Sequence, residues 1–243
     1  TREWEKRIKG ETQEIAHSME HFTLFNFNVL FDMHYGSDVI FTEQRVPLIL
    51  NILKECDADV IALQEVRPSF LQELVKQEWV QTKYFVSDVD GIVTLGEKYG
   101  QVMLTKLEPS ALYIYRFSNW KSVLLPCFTV LINGIRELML IPILHLSSGK
   151  HSDAPKQRKE QITCTMFNCE NIQADHILLV GDFNMTDDDE DKEDEQLTQW
   201  GRDAWQEVYD LKESPGYTLD PTTNPIAYAT IVTGKDYGRR LDR

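Results

Sequence analysis

Four apolar runs in this 243-residue chain end in side chains equipped for chemistry. Phe27-Asn28-Val29 sets an amide inside a hydrophobic stretch, and Leu63-Gln64-Glu65-Val66 sets a carboxylate where an apolar run gives out. Val180-Gly181-Asp182-Phe183-Asn184 places an acid and an amide two residues apart, hence on one face of an extended segment. His145 closes the run Leu138–Leu144 in the same manner. If rigid strands deliver Asn28, Glu65, His145, Asp182 and Asn184 to a common edge, they line a polar, acid-rich pocket. Oxygen donors of this kind suit a hard cation such as Mg2+ or Mn2+ and not zinc. Taken singly, each residue has a plainer reading. Asn28 reads also as a strand-end amide, Glu65 as a cap for a helix near Ser69, Asp182 as part of a turn, and His145 as a hydrogen-bonded core histidine. The ordered set carries the argument.

That ordered set, Phe27-Asn28-Val29-Leu30, Leu63-Gln64-Glu65-Val66, His145-Leu146 and Gly181-Asp182-Phe183-Asn184, resembles the endonuclease/exonuclease/phosphatase superfamily. Arg240-Leu241-Asp242 is similar to that superfamily's next motif, Arg-apolar-Asp, so the resemblance runs from about Phe22 to the last residue. Within the superfamily, three stretches lean toward the 5′-tyrosyl-DNA phosphodiesterase branch. They are His145-Leu146-Ser147-Ser148 leading to Arg158 and Gln161, Asp203-Ala204-Trp205, and Gly216-Tyr217-Thr218-Leu219-Asp220.

The resemblance implies an α/β domain of two mixed β-sheets packed face to face with helices outside, a four-layer αββα sandwich. It also implies metal-assisted hydrolysis of a phosphoester in nucleic acid, with removal of a 5′-tyrosyl or related adduct as the specific form. Glu65 becomes the direct ligand of Mg2+ or Mn2+, with Asn28 beside it touching the metal site or the phosphate. Asp182 orients or deprotonates the attacking water, Asn184 hydrogen-bonds the phosphate, and His145 donates to a non-bridging oxygen as charge develops. Arg158, Arg240 and Tyr217 join Asn28 and Asn184 as expected substrate contacts, though Arg158, on the helix after His145, reads equally as a residue behind the site or as a surface charge. Asp242 would orient a histidine supplied by a later Ser-Asp-His motif. This sequence stops at Arg243, and none of its six histidines occupies that place. The expectation is therefore a segment of a longer protein, its domain incomplete at the C-terminus. A deadenylase or 2′,5′-phosphodiesterase, an inositol-phosphate phosphatase and an inactive scaffold stand as alternatives on the same motifs.

The elements that must position these residues follow from hydrophobic period. Residues 22–31, 60–63, 83–87, 101–105, 112–117, 123–132, 137–146 and 177–180 read as strands, and Asn133-Gly134 is a hairpin turn between two of them. Helical spacing appears at 46–53, 69–78 (opened by Pro68-Ser69), 154–168 and 203–210. Residues 1–20, with Trp4, Ile8 and Ile15 loosely spaced, predict a helical extension ahead of a domain spanning 21–243. From Ser214 onward the chain is rich in Pro, Thr, Asn and Gly and reads as long loops. Strands outnumber helices and hairpins are frequent, which favours two stacked sheets over one doubly wound sheet.

Composition narrows the partners. The formal net charge of −14 argues against holding nucleic acid by bulk electrostatics, though not against gripping a phosphate locally or through a metal. Half of it, −7 from eight acids and one lysine, lies in Asp187–Glu195, which reads as a solvated run. In contrast, Lys235, Arg239, Arg240 and Arg243 form a basic stretch, and Tyr217 and Tyr228 nearby could stack on bases. Cys56, Cys127, Cys164 and Cys169 have no zinc-ligand spacing and read as reduced thiols. No apolar run reaches the roughly 18 residues of a membrane span. The expectation is an intracellular monomer, nuclear or cytoplasmic, acting on nucleic acid or another phosphoester.

Overall fold

Side-chain parity along the strands builds the layers. In the strand Val60–Val66, Val60 and Ala62 face one core while Ile61 and Leu63 face another, and all four are fully buried. A strand buried on both faces must be covered on both, and here one cover is a second sheet and the other a layer of helices. The computed structural model describes residues 5–7, 16–18, 20–30, 32, 36–92, 94–95, 99–117, 121–149, 153–185, 193, 197–230 and 238–243.

The first sheet contains β3 (Leu24–Asn28), β4 (Val60–Val66), β5 (Phe85–Val86) and β6 (Gly100–Thr105), in the order β3-β4-β6-β5. β3 and β4 run parallel and the other pairs antiparallel. The second sheet runs β1 (Glu5–Arg7), β7 (Ala111–Arg116), β8 (Ser122–Ile132), β10 (Ile143–His145) and β12 (Val180–Asp182). Also joined to it are β2 (His17–Ser18), β9 (Ile135–Leu140) and β11 (His176–Ile177). Both sheets are mixed, as expected.

Between the sheets lies a core of Val60, Ala62 and Met103 from one and Leu124, Phe128, Val130, Ile143 and Val180 from the other. Outside the first sheet, α2 (Thr42–Cys56) applies Ile49, Leu50 and Leu53, and α3 (Pro68–Val75) applies Phe70, Leu71 and Leu74. The short α1 (Ser37–Ile40) precedes α2, and α4 (Glu78–Lys83) follows α3. Outside the second sheet, α5 (Ala154–Ile172) buries Ile162, Met166 and Cys169 against Val123, Leu125, Leu140 and Leu144. Four layers result.

Most expected elements stand where period placed them. The Asn133-Gly134 turn joins β8 to β9 with Ile132 facing Ile135, and both turn residues take positive φ, 52° and 78°. Four expectations are corrected. The single strand at 177–180 is instead the junction of two, β11 ending at Ile177 beside β9 and β12 starting at Val180 beside β10. The single strand at 137–146 is two, β9 and β10, because Pro142 has no N–H for the ladder; its carbonyl instead accepts from Val180 N at 3.1 Å. The N-terminal helix is not found in the described part of 1–20, which forms β1 against β7 and β2 against β8. Trp4, Ile8 and Ile15 lie outside the described residues. The tail from Ser214 is more than loop: Leu219 pairs with Arg239, Asp242 pairs with Asp182, and α7 (Pro225–Thr230) follows α6 (Ala204–Val208). All four cysteines are free thiols, and among the described residues no helix is long and apolar enough to cross a membrane.

Candidate active site

Parity also decides which polar side chains enter the slot between the sheets. On β3, Leu24 belongs to the inter-sheet core and Phe25 and Phe27 to the helix side, so Asn26 and Asn28 face the slot. On β10 and β12, Ile143 and Val180 face it, so His145 and Asp182 do too, and the two strands pair in parallel with His145 opposite Asp182. Glu65 breaks the rule. By alternation with Leu63 it belongs on the helix side, but the register of β4 against β6 shifts between Leu63 and Val66. Glu65 takes φ 57° there, and the bulge turns its carboxylate back toward Asn28. Leu30 (φ 54°) and Asn184 (φ 51°) adopt the same left-handed backbone. Such conformations cost about 1–3 kcal/mol each and persist only where the surroundings enforce them. Gly181 is demanded by packing: a Cβ there would lie 2.1 Å from Leu144 O on the neighbouring strand.

The result is an acid pair joined by an amide. Asn28 Nδ2 donates to Glu65 Oε1 and to Asp182 Oδ2, both at 2.9 Å, while Asn28 Oδ1 accepts from Leu30 N at 2.9 Å. Asn28 thus presents its nitrogen to the two carboxylates and its oxygen to Leu30 N. His145 Nε2 lies 3.7 Å from Glu65 Oε1 and 3.9 Å from Asp182 Oδ2. Ligand atoms of Glu65, His145 and Asp182 fall within 4.8 Å of one another, a donor set with room for a divalent cation. Asn184 N donates to Asp182 Oδ1 at 2.8 Å, and its amide Nδ2 donates to Leu146 O at 3.2 Å.

Burial and charge tune the groups. Burial pushes the Asp182 carboxyl up, opposed by hydrogen bonds from Asn28 and Asn184 and by the charge of Lys121. Burial, with Lys121 adding to it, holds His145 well below its ordinary value, so its imidazole is neutral. Lys121 is itself brought down to about 8 by burial, against the pull of Asp182 and Glu65. Its Nζ sits 5.6 Å from the Tyr99 ring centroid, and the Tyr99 ring lies 5.8 Å from that of His145. Tyr99 and Lys121 were not anticipated: each directly precedes a strand, β6 and β8, with no spacing signal to distinguish it.

A third wall comes from the C-terminal segment. Gly181 and Arg243 exchange backbone hydrogen bonds and Phe183 N donates to Leu241 O, which sets Asp242 beside Asp182. Asn26 Nδ2 donates to Asp242 Oδ1 at 3.2 Å, and Gln64 Nε2 donates to Asn26 Oδ1 at 2.7 Å. Burial pushes the Asp242 carboxyl up to about 7, with the charge of Asp182 adding to it.

Of the expected substrate contacts, Tyr217 is half exposed, its ring lying over Gly238, where any Cβ would meet it at 2.1 Å. Tyr228 is exposed on α7. Two expectations are corrected. Arg158 is 2% exposed and pairs with Glu193, and Arg240 is 2% exposed and bonds Asp203 at 2.7 Å. Buried guanidiniums with internal partners brace the fold and are not open to substrate. Glu193 also corrects the reading of the acidic run as wholly solvated, being 3% exposed. Lys235, His34, His151 and most of 187–195 lie outside the described residues.

A family model described as the Endonuclease/Exonuclease/phosphatase family matches residues 25–243. Among curated proteins, none matches this sequence. Among solved structures, TDP2 from Caenorhabditis elegans superposes with a TM-score of 0.67 at 19% identity, covering 91% of this chain and 62% of that one. This chain thus spans less than two thirds of that protein's length. TDP2 from D. rerio, solved with a single-strand DNA product, gives 0.58 at 19% identity over 91% and 81%. A β-hairpin deletion mutant of the beta toxin of Staphylococcus aureus gives 0.64 at 18% over 92% and 85%. At these identities the likeness is one of fold.

Proposed function

The chain belongs to the endonuclease/exonuclease/phosphatase family, and from that premise we propose that it hydrolyses a phosphodiester at a nucleic-acid end with the help of Mg2+ or Mn2+. The observation that carries this reading is the meeting of Asn28 and Glu65 from one sheet with His145 and Asp182 from the other in one slot, Asn28 bonded to both carboxylates and His145 Nε2 lying 3.7 and 3.9 Å from them. A hard divalent cation fits the carboxylate-rich group, with Glu65 as its principal ligand and Asp182 alongside, and supplies Lewis-acid charge toward the phosphoryl oxygens.

The chain's own residues supply the rest. Asn28 fixes the spacing of the two carboxylates by bonding both. Asp182, its other oxygen held by Asn184 N, is placed to orient a water and accept its proton. His145 is neutral and keeps one ring N–H to offer a non-bridging oxygen as charge grows there. Lys121 adds a cation facing Asp182 and Glu65, suited to a substrate that brings negative charge into the slot. Tyr217, half exposed on the wall, suits stacking on a base near a strand end. The single-strand DNA product bound by D. rerio TDP2, on a shared fold, supports an end-acting reading in which a tyrosyl or related 5′ adduct is the leaving group.

The test is turnover with Mg2+ of a 5′-phosphotyrosyl oligonucleotide, poly(A) RNA and an inositol polyphosphate in parallel. The expected result is release of tyrosine from the first, with little turnover of the others. Turnover of the inositol polyphosphate alone would overturn the substrate class, and turnover of none by folded protein would overturn the activity.

A further inference from the structure

Arg158–Glu193 is the most deeply buried ion pair among the described residues, with both side chains 2% exposed. Its geometry is a fork: Arg158 Nε donates to Glu193 Oε1 at 2.8 Å and Nη2 to Oε2 at 2.6 Å. The remaining nitrogen, Nη1, donates to Ser147 O and to Gly149 O, both at 3.0 Å. The carbonyls it grips belong to the turn that leaves β10 directly after His145. One helical turn along α5, Gln161 takes the other side of the same segment, accepting from Ser147 N and donating to Ser147 Oγ at 3.0 Å each. From the Asp182 side, Leu146 N donates to Asp182 O at 2.9 Å and Asn184 Nδ2 reaches Leu146 O.

We propose that the Arg158–Glu193 pair is a positioning device for His145, locking a residue of the acidic run onto the turn that holds the imidazole in the slot. Arg158 is the mechanical part, since only a planar guanidinium can serve one carboxylate fork and two carbonyls together. Glu193 is the electrical part. Without it a guanidinium would be buried with no carboxylate bonded to it, a state costly enough to draw water in or drive the side chain out. Either escape releases Ser147 O and Gly149 O and loosens the backbone behind His145. One acid of the run is thus an internal strut, acting on the site without touching substrate. The proposal rests on reading His145 as part of a hydrolytic site.

The test compares Glu193→Gln and Arg158→Lys with Leu53→Ala, a destabilising change on α2 on the far side of the first sheet. Backbone hydrogen exchange and phosphodiester turnover with Mg2+ are measured well below each variant's Tm. The two clamp variants are expected to exchange Leu146 and Ser147 amides about tenfold faster and to lose about tenfold in kcat with KM within about twofold. Leu53→Ala should do neither. Exchange and kcat that merely follow global stability in all three would overturn the proposal. Should Glu193→Gln not fold, Glu193→Asp keeps the charge but shortens the reach, and the same local pattern is expected at smaller size. If the wild type turns over no phosphoester, the hydrolytic reading falls while exchange still decides the clamp: acceleration confined to residues 146 and 147 upholds it, and uniform acceleration ends it.

Discussion

The floor of the slot and its C-terminal wall are built by different physics. Asn28, Glu65, His145 and Asp182 stand on strands whose neighbours, Leu63, Ile143 and Leu144, are fully buried in three separate cores. Displacing any of the four means disturbing a packed layer. The wall, carrying Tyr217, Thr218 and Asp242, lies outside the long strand ladders and is held by short pairings, Leu219 with Arg239 and residues 241–243 with 181–183, and by Arg240 and Arg243 on Asp203. Thr218 Oγ1 accepts from both Leu241 N and Asp242 N, at 3.1 and 3.2 Å. The contrast teaches where chemistry and affinity should separate: a rigid floor suits bond-breaking geometry, and a lightly pinned wall suits contacts to variable substrate. Changes on the floor should therefore strike kcat, and changes on the wall KM or pH response.

The largest effect is expected at the bulged residue. Glu65→Gln should slow phosphodiester hydrolysis by about a thousandfold or more, since it removes the proposed principal metal ligand, with little change in Tm. Next is Lys121. It loses its proton as the pH passes about 8, so kcat/KM should fall above that point. Lys121→Gln should cost about 10- to 100-fold at pH 7. Lys121→Arg, which stays charged, should carry the alkaline limb to higher pH in a rate–pH profile.

The wall is tested first by Asp242. With its carboxyl at about 7, the native chain holds a proton that the unfolded chain, near its ordinary value of about 3.9, has released. The stability this group contributes is complete below about pH 4 and is lost as the pH rises through about 7. Asp242→Asn should accordingly raise Tm more at pH 8 than at pH 5, as read by thermal melts. The smallest effect is at Tyr217: Tyr217→Ala should raise KM for a single-stranded oligonucleotide about fivefold and leave kcat unchanged. An equal loss of kcat there would erase the distinction between floor and wall.

The floor was largely legible in the sequence because burial writes itself as period. Apolar runs located β3 and β4 and the stretches that contain β10 and β12, and the polar residue ending each run marked Asn28, Glu65, His145 and Asp182 as candidates. What period does not encode was missed. The bulge that re-aims Glu65 is a register shift set by β6, and the nitrogen face of Asn28 follows from where Leu30 N lies. Lys121 and Tyr99 come close to the acids only through tertiary packing. Arg158 and Arg240 carry the charge expected of phosphate contacts, but their partners Glu193 and Asp203 lie 35 and 37 residues away, beyond any local pattern. The pairing of the tail against β12 was hidden for the same reason, since a Gly- and Pro-rich segment reads as loop whether or not a strand waits beside it.

The central claim is that two sheets bring Asn28–Glu65 and His145–Asp182 together as one metal-assisted hydrolytic site. It is met most directly by single-turnover rates on a 5′-phosphotyrosyl oligonucleotide with Mg2+, for the wild type and for Glu65→Gln and Asp182→Asn, one from each sheet. The predicted result is hydrolysis by the wild type and a loss of about a thousandfold in each variant, with the double variant little worse than either, as for groups acting as a unit. Wild-type rates in either variant would contradict it.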